Sequence, residues 1–375
     1  MNRLILIGNG FDLAHGMKTS YNDFILWYMR QCFVDAFHKK GYNDGLIDIQ
    51  RSYVGINPYL LKDTSSVTNL IDRFYQDGFK GLIENGTFIA GNLQYSSPFN
   101  VGKNISPFLR TLLYNCSKSR WVDIENTFYS ELKGTLAIRA SREEKELRLT
   151  RLNESLRVLI SQLEKYLNSL KQPEYLAGYM DILTSPIKKS DVHGIVLTEE
   201  IEPEQTLLLN FNYTPTPLMY LDWFKQNSTK VVPKINFIHG QLGKVTNPMI
   251  FGFGDELDDD YLRMEREEAR GYFDYIKSFW YFKTSNYRDL VSFIDADPYQ
   301  VFTLGHSCGL SDRTMLHMLF EHTNCKSVKI FFHGDKEGKN NYTTLTHEIA
   351  RHFKDKAEMR NKIVSLDRSL PMPQG

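Results

Sequence analysis

Residues 1–12 read MNRLILIGNGFD. The apolar run Leu4–Ile7 has no polar break and stops at Gly8-Asn9-Gly10. A strand that is apolar at every position is buried on both faces, as a parallel sheet covered by helices requires. Five further runs end in the same abrupt way. They are Thr206–Phe211 before Asn212, Ile235–Ile238 before His239-Gly240, Met249–Phe253 before Gly254, Val301–Leu304 before Gly305, and Val328–Phe332 before His333-Gly334. Each is read as a buried strand.

Helical stretches lie between several of these runs. Thr19-Ser20 with Asp23 forms a capping signal ahead of Phe24–Phe37. Pro215 and Pro217 suit the first turn of a helix reaching about Lys225, and Leu316–Phe320 and Leu345–Phe353 are two more. The order predicts an α/β fold, a parallel Rossmann-type sheet flanked by helices, which binds ligands at the carboxyl ends of its strands. Residues 41–200 read differently, with loop-like stretches at 41–55 and 78–104 and then a charged helical segment. There Leu149, Leu152, Leu156, Leu159, Leu163, Tyr166 and Leu170 step by three and four, and Pro173 follows. This stripe is read either as a long helix packed within the chain or as a dimeric coiled coil. The expected organisation is therefore one core from residues 1–40 and 201–375, split by a mainly helical insertion at 41–200.

The residues able to do chemistry stand where the apolar runs end. Gly8-Asn9-Gly10-Phe11-Asp12 is read either as a tight turn or as a loop approaching a phosphate or ribose, with Asn9 and Asp12 bonding hydroxyls. Leu13 stands where the third glycine of a dinucleotide fingerprint belongs. Asn212 supplies an amide that orients a water without titrating. His239, before Gly240, supplies an imidazole able to act as a base near neutrality. Gly305-His306-Ser307 adds another loop, and Asp312 is read either as a ligand contact or as a helix cap.

Two motifs are set aside. His347 and His352 are five residues apart, on different faces of a helix, so HEIARH does not reproduce the zinc-protease spacing. Asp258-Asp259-Asp260 lacks the spacing and glycine of a calcium loop. The charges balance, 45 basic against 45 acidic, which argues against nucleic acid or an anionic membrane as the main partner. Cys32, Cys116, Cys308 and Cys325 form no CxxC pair, so a reducing cytoplasm is expected and a zinc or disulfide framework is not. No apolar run approaches the ~18 residues of a membrane span, and the N-terminus does not read as a secretory signal.

Taken together, ILIGNGFDLAHG from residue 4, WVDIE at 121–125, NFNYT at 210–214, FIHG at 237–240 and LGHSCGLSDR at 304–313 resemble the AbiH family of bacterial abortive-infection proteins. More distantly, the set is similar to the sirtuin-like NAD-binding fold. That resemblance implies that Gly8, Gly10 and Asp12 form the first dinucleotide loop. It makes Asn212 and His239 catalytic and places Gly305 and Ser307 in a loop closing over the ligand. The two CxxC pairs of sirtuin deacylases are absent here, which turns the expectation from acyl-lysine removal to NAD hydrolysis.

The leading expectation is an antiphage NAD-type glycohydrolase with NAD as substrate and no metal. Asn212 and His239 are its catalytic residues; Gly8, Asn9, Gly10, Phe11, Asp12, Gly240, Gly305, His306, Ser307 and Asp312 bind the dinucleotide. Two alternatives stay open. One is a non-catalytic nucleotide-sensing module that activates a partner; the other is a metal-dependent nuclease toxin using Asp12, Glu125 and Asp312. A homo-oligomer and a phage-derived trigger or defence partner protein are the macromolecular partners considered.

Overall fold

The structure, a computed structural model, describes all residues except 52–61, 77, 85–86, 91–92, 97–98, 102–104, 120–122, 228–231 and 336. Trp121 and Val122 of the WVDIE motif thus lie outside the described residues. The chain divides into two compact units. One comprises residues 1–18, 170–265 and 275–375, and the other residues 19–169 and 266–274. The division falls at 19 and 169, so the helix after the first turn belongs to the second unit and 170–200 to the first.

The first unit is built on six parallel strands: β1 (Asn2–Ile7), β2 (Thr206–Asn210), β3 (Lys234–Phe237), β4 (Tyr299–Leu304), β5 (Cys325–Phe332) and β6 (Leu370–Pro371). Their order across the sheet is 3-2-1-4-5-6, that of doubly wound nucleotide-binding sheets, whose ligand crevice lies where the order reverses, between β1 and β4. Every residue of β1, β2 and β4 is buried, which is why these runs carry no polar alternation.

Alternate residues feed two cores. Leu4 and Leu6, with Leu207, Leu209, Val301, Val328 and Ile330, share one core with Leu290, Ile294, Met315, Leu316, Leu319, Leu345 and Ile349. Ile5 and Ile7 share the other with Leu208, Phe302, Leu304, Phe331, Phe11, Tyr179, Tyr220 and Leu221. The helices involved are α1 (Asn9–Ala14), α2 (Gly178–Leu183), α3 (Leu218–Gln226), α4 (Asn286–Ala296), α5 (Arg313–Glu321) and α6 (Tyr342–Ala350). Pro217 occupies the N-cap of α3.

One expected strand is corrected. Of Met249–Phe253, residues 250–253 are buried, but the segment is not a member of the sheet. Ile250 donates to the His239 carbonyl beyond the end of β3, and Phe253 exchanges bonds with Tyr275 and Lys277. The segment instead brings 275–277 toward the ends of the strands. β6 was not anticipated: two residues, one of them Pro371 at a sheet edge, carry no readable period.

In the second unit, Ser20 caps the helix Tyr21–Lys39 by accepting from the Asp23 amide. The heptad stripe lies on the helix Arg142–Ser169, and Leu149, Leu152, Leu156, Leu159, Leu163 and Tyr166 are all buried. That stripe is consumed by packing within the chain, which removes it as the seam of a coiled-coil dimer. Leu170 lies past the helix end. Asn153 on the same helix donates to the Gly271 carbonyl and to Asp274. A small antiparallel sheet of 41–43, 48–51 and 99–100 accompanies the helices. Among the described residues, no helix is long and apolar enough to cross a membrane.

Candidate active site at the carboxyl ends of the strands

The register aligns the strand ends. Ile7 pairs with Asn210 on one side and with Leu304 on the other, and Asn210 pairs with Phe237. Residues 8, 211, 238 and 305 therefore leave the sheet at one level. From this rim the structure gathers two buried polar clusters.

The first centres on Asp312. Its Oδ1 lies 3.1 Å from His239 Nε2 and 2.8 Å from Lys277 Nζ, and its Oδ2 lies 3.8 Å from His306 Nε2. His239 Nε2 also lies 3.2 Å from the Tyr281 hydroxyl. Lys277 is fully buried and donates as well to the Ser311 carbonyl. Phe211 sets its ring edge-on against both imidazoles. His306 Nδ1 accepts from the Cys308 amide at 3.0 Å, which directs its other nitrogen toward Asp312.

Burial and the nearby Lys277 ammonium lower the His239 pKa, against the pull of Asp312. His306 is pushed down to about 4, chiefly by burial. Burial opposes charge on Asp312 too, but the Lys277 ammonium and the hydrogen bond from His239 outweigh it and hold that carboxyl well below the usual range. The cluster at neutral pH is then a carboxylate, an ammonium and two neutral imidazoles. A neutral His239 oriented by a carboxylate can take a proton. Asp312 occupies the N-cap position of α5 yet makes no capping bond, so its side chain belongs to this cluster and not to the helix end.

The second cluster centres on Asp12. Thr214 donates to its Oδ2 at 2.6 Å, and its Oδ1 is buried without a partner. Asn212 donates to the Gly8 carbonyl at 3.0 Å, and Asn210 holds the loop by bonding the 212 backbone. Burial raises the Asp12 pKa to about 6 despite hydroxyl and amide donors. An acid whose folded pKa exceeds its unfolded value favours folding while protonated, so this contribution is lost as pH rises through about 6. Against an Asp12→Asn variant, the wild type is expected to lose stability between about pH 4 and pH 6, by up to ~3 kcal/mol. Urea titrations of both proteins across that range check this, and parallel curves refute it.

The remaining predicted positions fall in other settings. Phe11 packs in the core against His15, Tyr179 and Tyr220, while Asn9 and Ser307 are exposed. A Cβ on Gly8 or Gly10 would strike His306 Cα at 2.5 Å or Gly305 Cα at 2.8 Å. The Gly8, Gly10 and Phe11 amides already bond the Leu304, Gly305 and Gly8 carbonyls. Gly240, at φ +84°, faces the Pro248 carbonyl. These glycines admit neighbouring backbone. Lys277 and Tyr281 were missed; the signal available was one lysine inside the apolar, aromatic run YIKSFWYF at 275–282.

All four cysteines are free and buried. Among the described residues, no three His, Cys, Asp or Glu side chains form a metal-ligand set. Residues 4–333 match the family described as "Bacteriophage abortive infection AbiH". No curated protein and no solved structure matches the chain.

Proposed function

This chain belongs to the AbiH family of bacteriophage abortive-infection proteins, and we propose that it serves that defence by hydrolysing the N-glycosyl bond of an NAD-type dinucleotide. The observation that carries the reading is the neutral His239 held 3.1 Å from Asp312 at the carboxyl ends of a 3-2-1-4-5-6 sheet. In the reaction, the C–N bond to nicotinamide breaks and its electron pair leaves with the base. Water adds to the ribose carbon, and its proton passes to His239. Asp312 stabilises the resulting imidazolium, and Asn212 and Asp12 offer polar atoms to ribose hydroxyls from the neighbouring strand end. Purified protein incubated with NAD is expected to release nicotinamide, and His239→Ala to slow this about a hundredfold or more. No turnover by the wild type, or equal turnover by the variant, defeats the proposal.

The depth of the dyad, with His239 at 5% exposure, favours one alternative, a module that senses a nucleotide without turning it over. Phage resistance retained by an Asn212→Ala/His239→Ala double variant, with cellular NAD unchanged in both proteins, would decide for it.

A further inference from the structure

The loop that leaves β4 turns through a strained residue. Cys308 stands at φ +54°, in the left-handed region that a Cβ makes costly and that recurs at functional sites. Lys40 is left-handed too, but it ends a helix, where that conformation is common. Cys308 ends no helix, and its side chain is fully buried in a core of the sheet.

Two imidazoles hold it there, one at each end of the residue. The Cys308 amide donates to His306 Nδ1 at 3.0 Å, and the Cys308 carbonyl accepts from His352 Nε2 at 2.7 Å. His352, 1% exposed, lies just past α6, at the end of the HEIARH stretch that fails as a zinc motif. It is itself fixed: its carbonyl accepts from His317 Nδ1 at 2.8 Å, and the Phe320 ring packs edge-on against its own.

These bonds place protons. A backbone N–H can only donate, so His306 Nδ1 carries the lone pair and the proton sits on Nε2. A backbone carbonyl can only accept, so His352 carries its proton on Nε2 as well. The N–H end of His306 lies 3.8 Å from Asp312 Oδ2, while Oδ1 faces His239 and Lys277. The opposite tautomer would turn a lone pair toward the carboxylate and strip the Cys308 amide of its acceptor. Burial pushes both imidazoles down to about 4, so each is neutral at pH 7.

We propose that His352 is a positioning residue: by clamping Cys308 in the left-handed conformation, it holds His306 as an N–H donor aimed at Asp312. The carboxylate then keeps one fixed N–H on its Oδ2 side, and Oδ1 stays turned to His239. The bearing of the clamp on nicotinamide release rests on the glycohydrolase reading; the clamp itself does not.

Long-range proton–nitrogen NMR spectra of histidine-labelled protein at pH 7 test it, since they separate a ring nitrogen that carries a proton from one that does not. A His306→Gln protein assigns the His306 signals by their loss. In the wild type the Nε2–H form of His306 is expected to exceed the other by about tenfold or more. His352→Phe keeps a ring but loses the donor, and the ratio at His306 should fall by at least about threefold. His352→Gln, whose amide can donate to the same carbonyl, should restore it. Nicotinamide release should follow the same order, lowered in kcat by the Phe variant and recovered by the Gln variant. A wild-type His306 protonated on Nδ1, or a Phe variant with the wild-type ratio, overturns the clamp, as does a Gln variant that behaves like Phe. Should His352→Phe fail to fold, the wild-type and Gln spectra still decide. Full release by the Phe variant overturns the link to catalysis. No release by the wild type defeats the hydrolase reading alone, and the spectra still judge the clamp.

Discussion

Replacing Asp312 by leucine is expected to destabilise the sheet-bearing unit by about 3–5 kcal/mol, the range for removing one partner of a buried ion pair. The reason is Lys277. Its side chain has no exposure, and its ammonium donates to Asp312 Oδ1 at 2.8 Å and to the Ser311 carbonyl at 3.3 Å. Without the carboxylate, that buried ammonium loses its ion-pair partner at 2.8 Å. The reciprocal change, Lys277→Met, should cost less as the pH falls. Lys277 is one of the two causes that lower the His239 pKa, so its removal lets that imidazole take a proton and supply the missing charge. The double variant Asp312→Leu/Lys277→Met strands neither charge and should sit well above the sum of the singles, with a coupling of about 2–3 kcal/mol. Urea unfolding of the three variants at pH 5.5 and 7.5 provides the measurement. A cost below about 1 kcal/mol for Asp312→Leu would show that the pair does not bear on stability.

That network also marks where sequence reading reaches its limit. Strands buried on both faces write themselves as unbroken apolar runs, so β1, β2, β4 and β5 were legible from residue type alone. Met249–Phe253 has the same composition and yet is no strand, because composition reports burial and not hydrogen-bond partners. The strand-end position of His239 was legible, since an apolar run that stops at a polar residue marks the sheet's edge. The contact of His239 with Asp312 was not, because 73 residues of chain separate them and nothing local encodes their meeting. Asp312 read equally well as a helix cap, and only the absent capping bond separates the two roles. Lys277 needed a different question. A lysine inside an apolar run must find a counter-charge, but the sequence names no partner.

The glycines carry the second large effect, and they show the same ambiguity in its sharpest form. A missing Cβ makes room for any atom, so Gly305 reads equally as a seat for a ligand or as a seat for backbone. In the fold it stands at φ +72°, and a Cβ there would lie 2.1 Å from the Phe11 amide nitrogen and 2.5 Å from the Gly10 carbonyl carbon. Neither is the tip of a flexible side chain. Relief would require the β1 and β4 exits to separate, breaking the bond from the Gly10 amide to the Gly305 carbonyl at 2.8 Å. Gly305→Ala is therefore expected to cost about 4 kcal/mol or more, in the range reserved for severe backbone and packing conflicts. Gly16 provides the control. Its φ is +76°, nearly the same, but nothing lies within 4 Å of its Cβ position. Gly16→Ala should then pay only the left-handed backbone strain of about 1–2 kcal/mol. Side-by-side urea unfolding separates the two terms: the strain is common to both variants, and the difference between them measures the collision of the two strand exits. Equal costs would mean that the exits yield freely, and that the contact between the first and fourth strand ends does not hold the rim on which His239 and Asp312 meet.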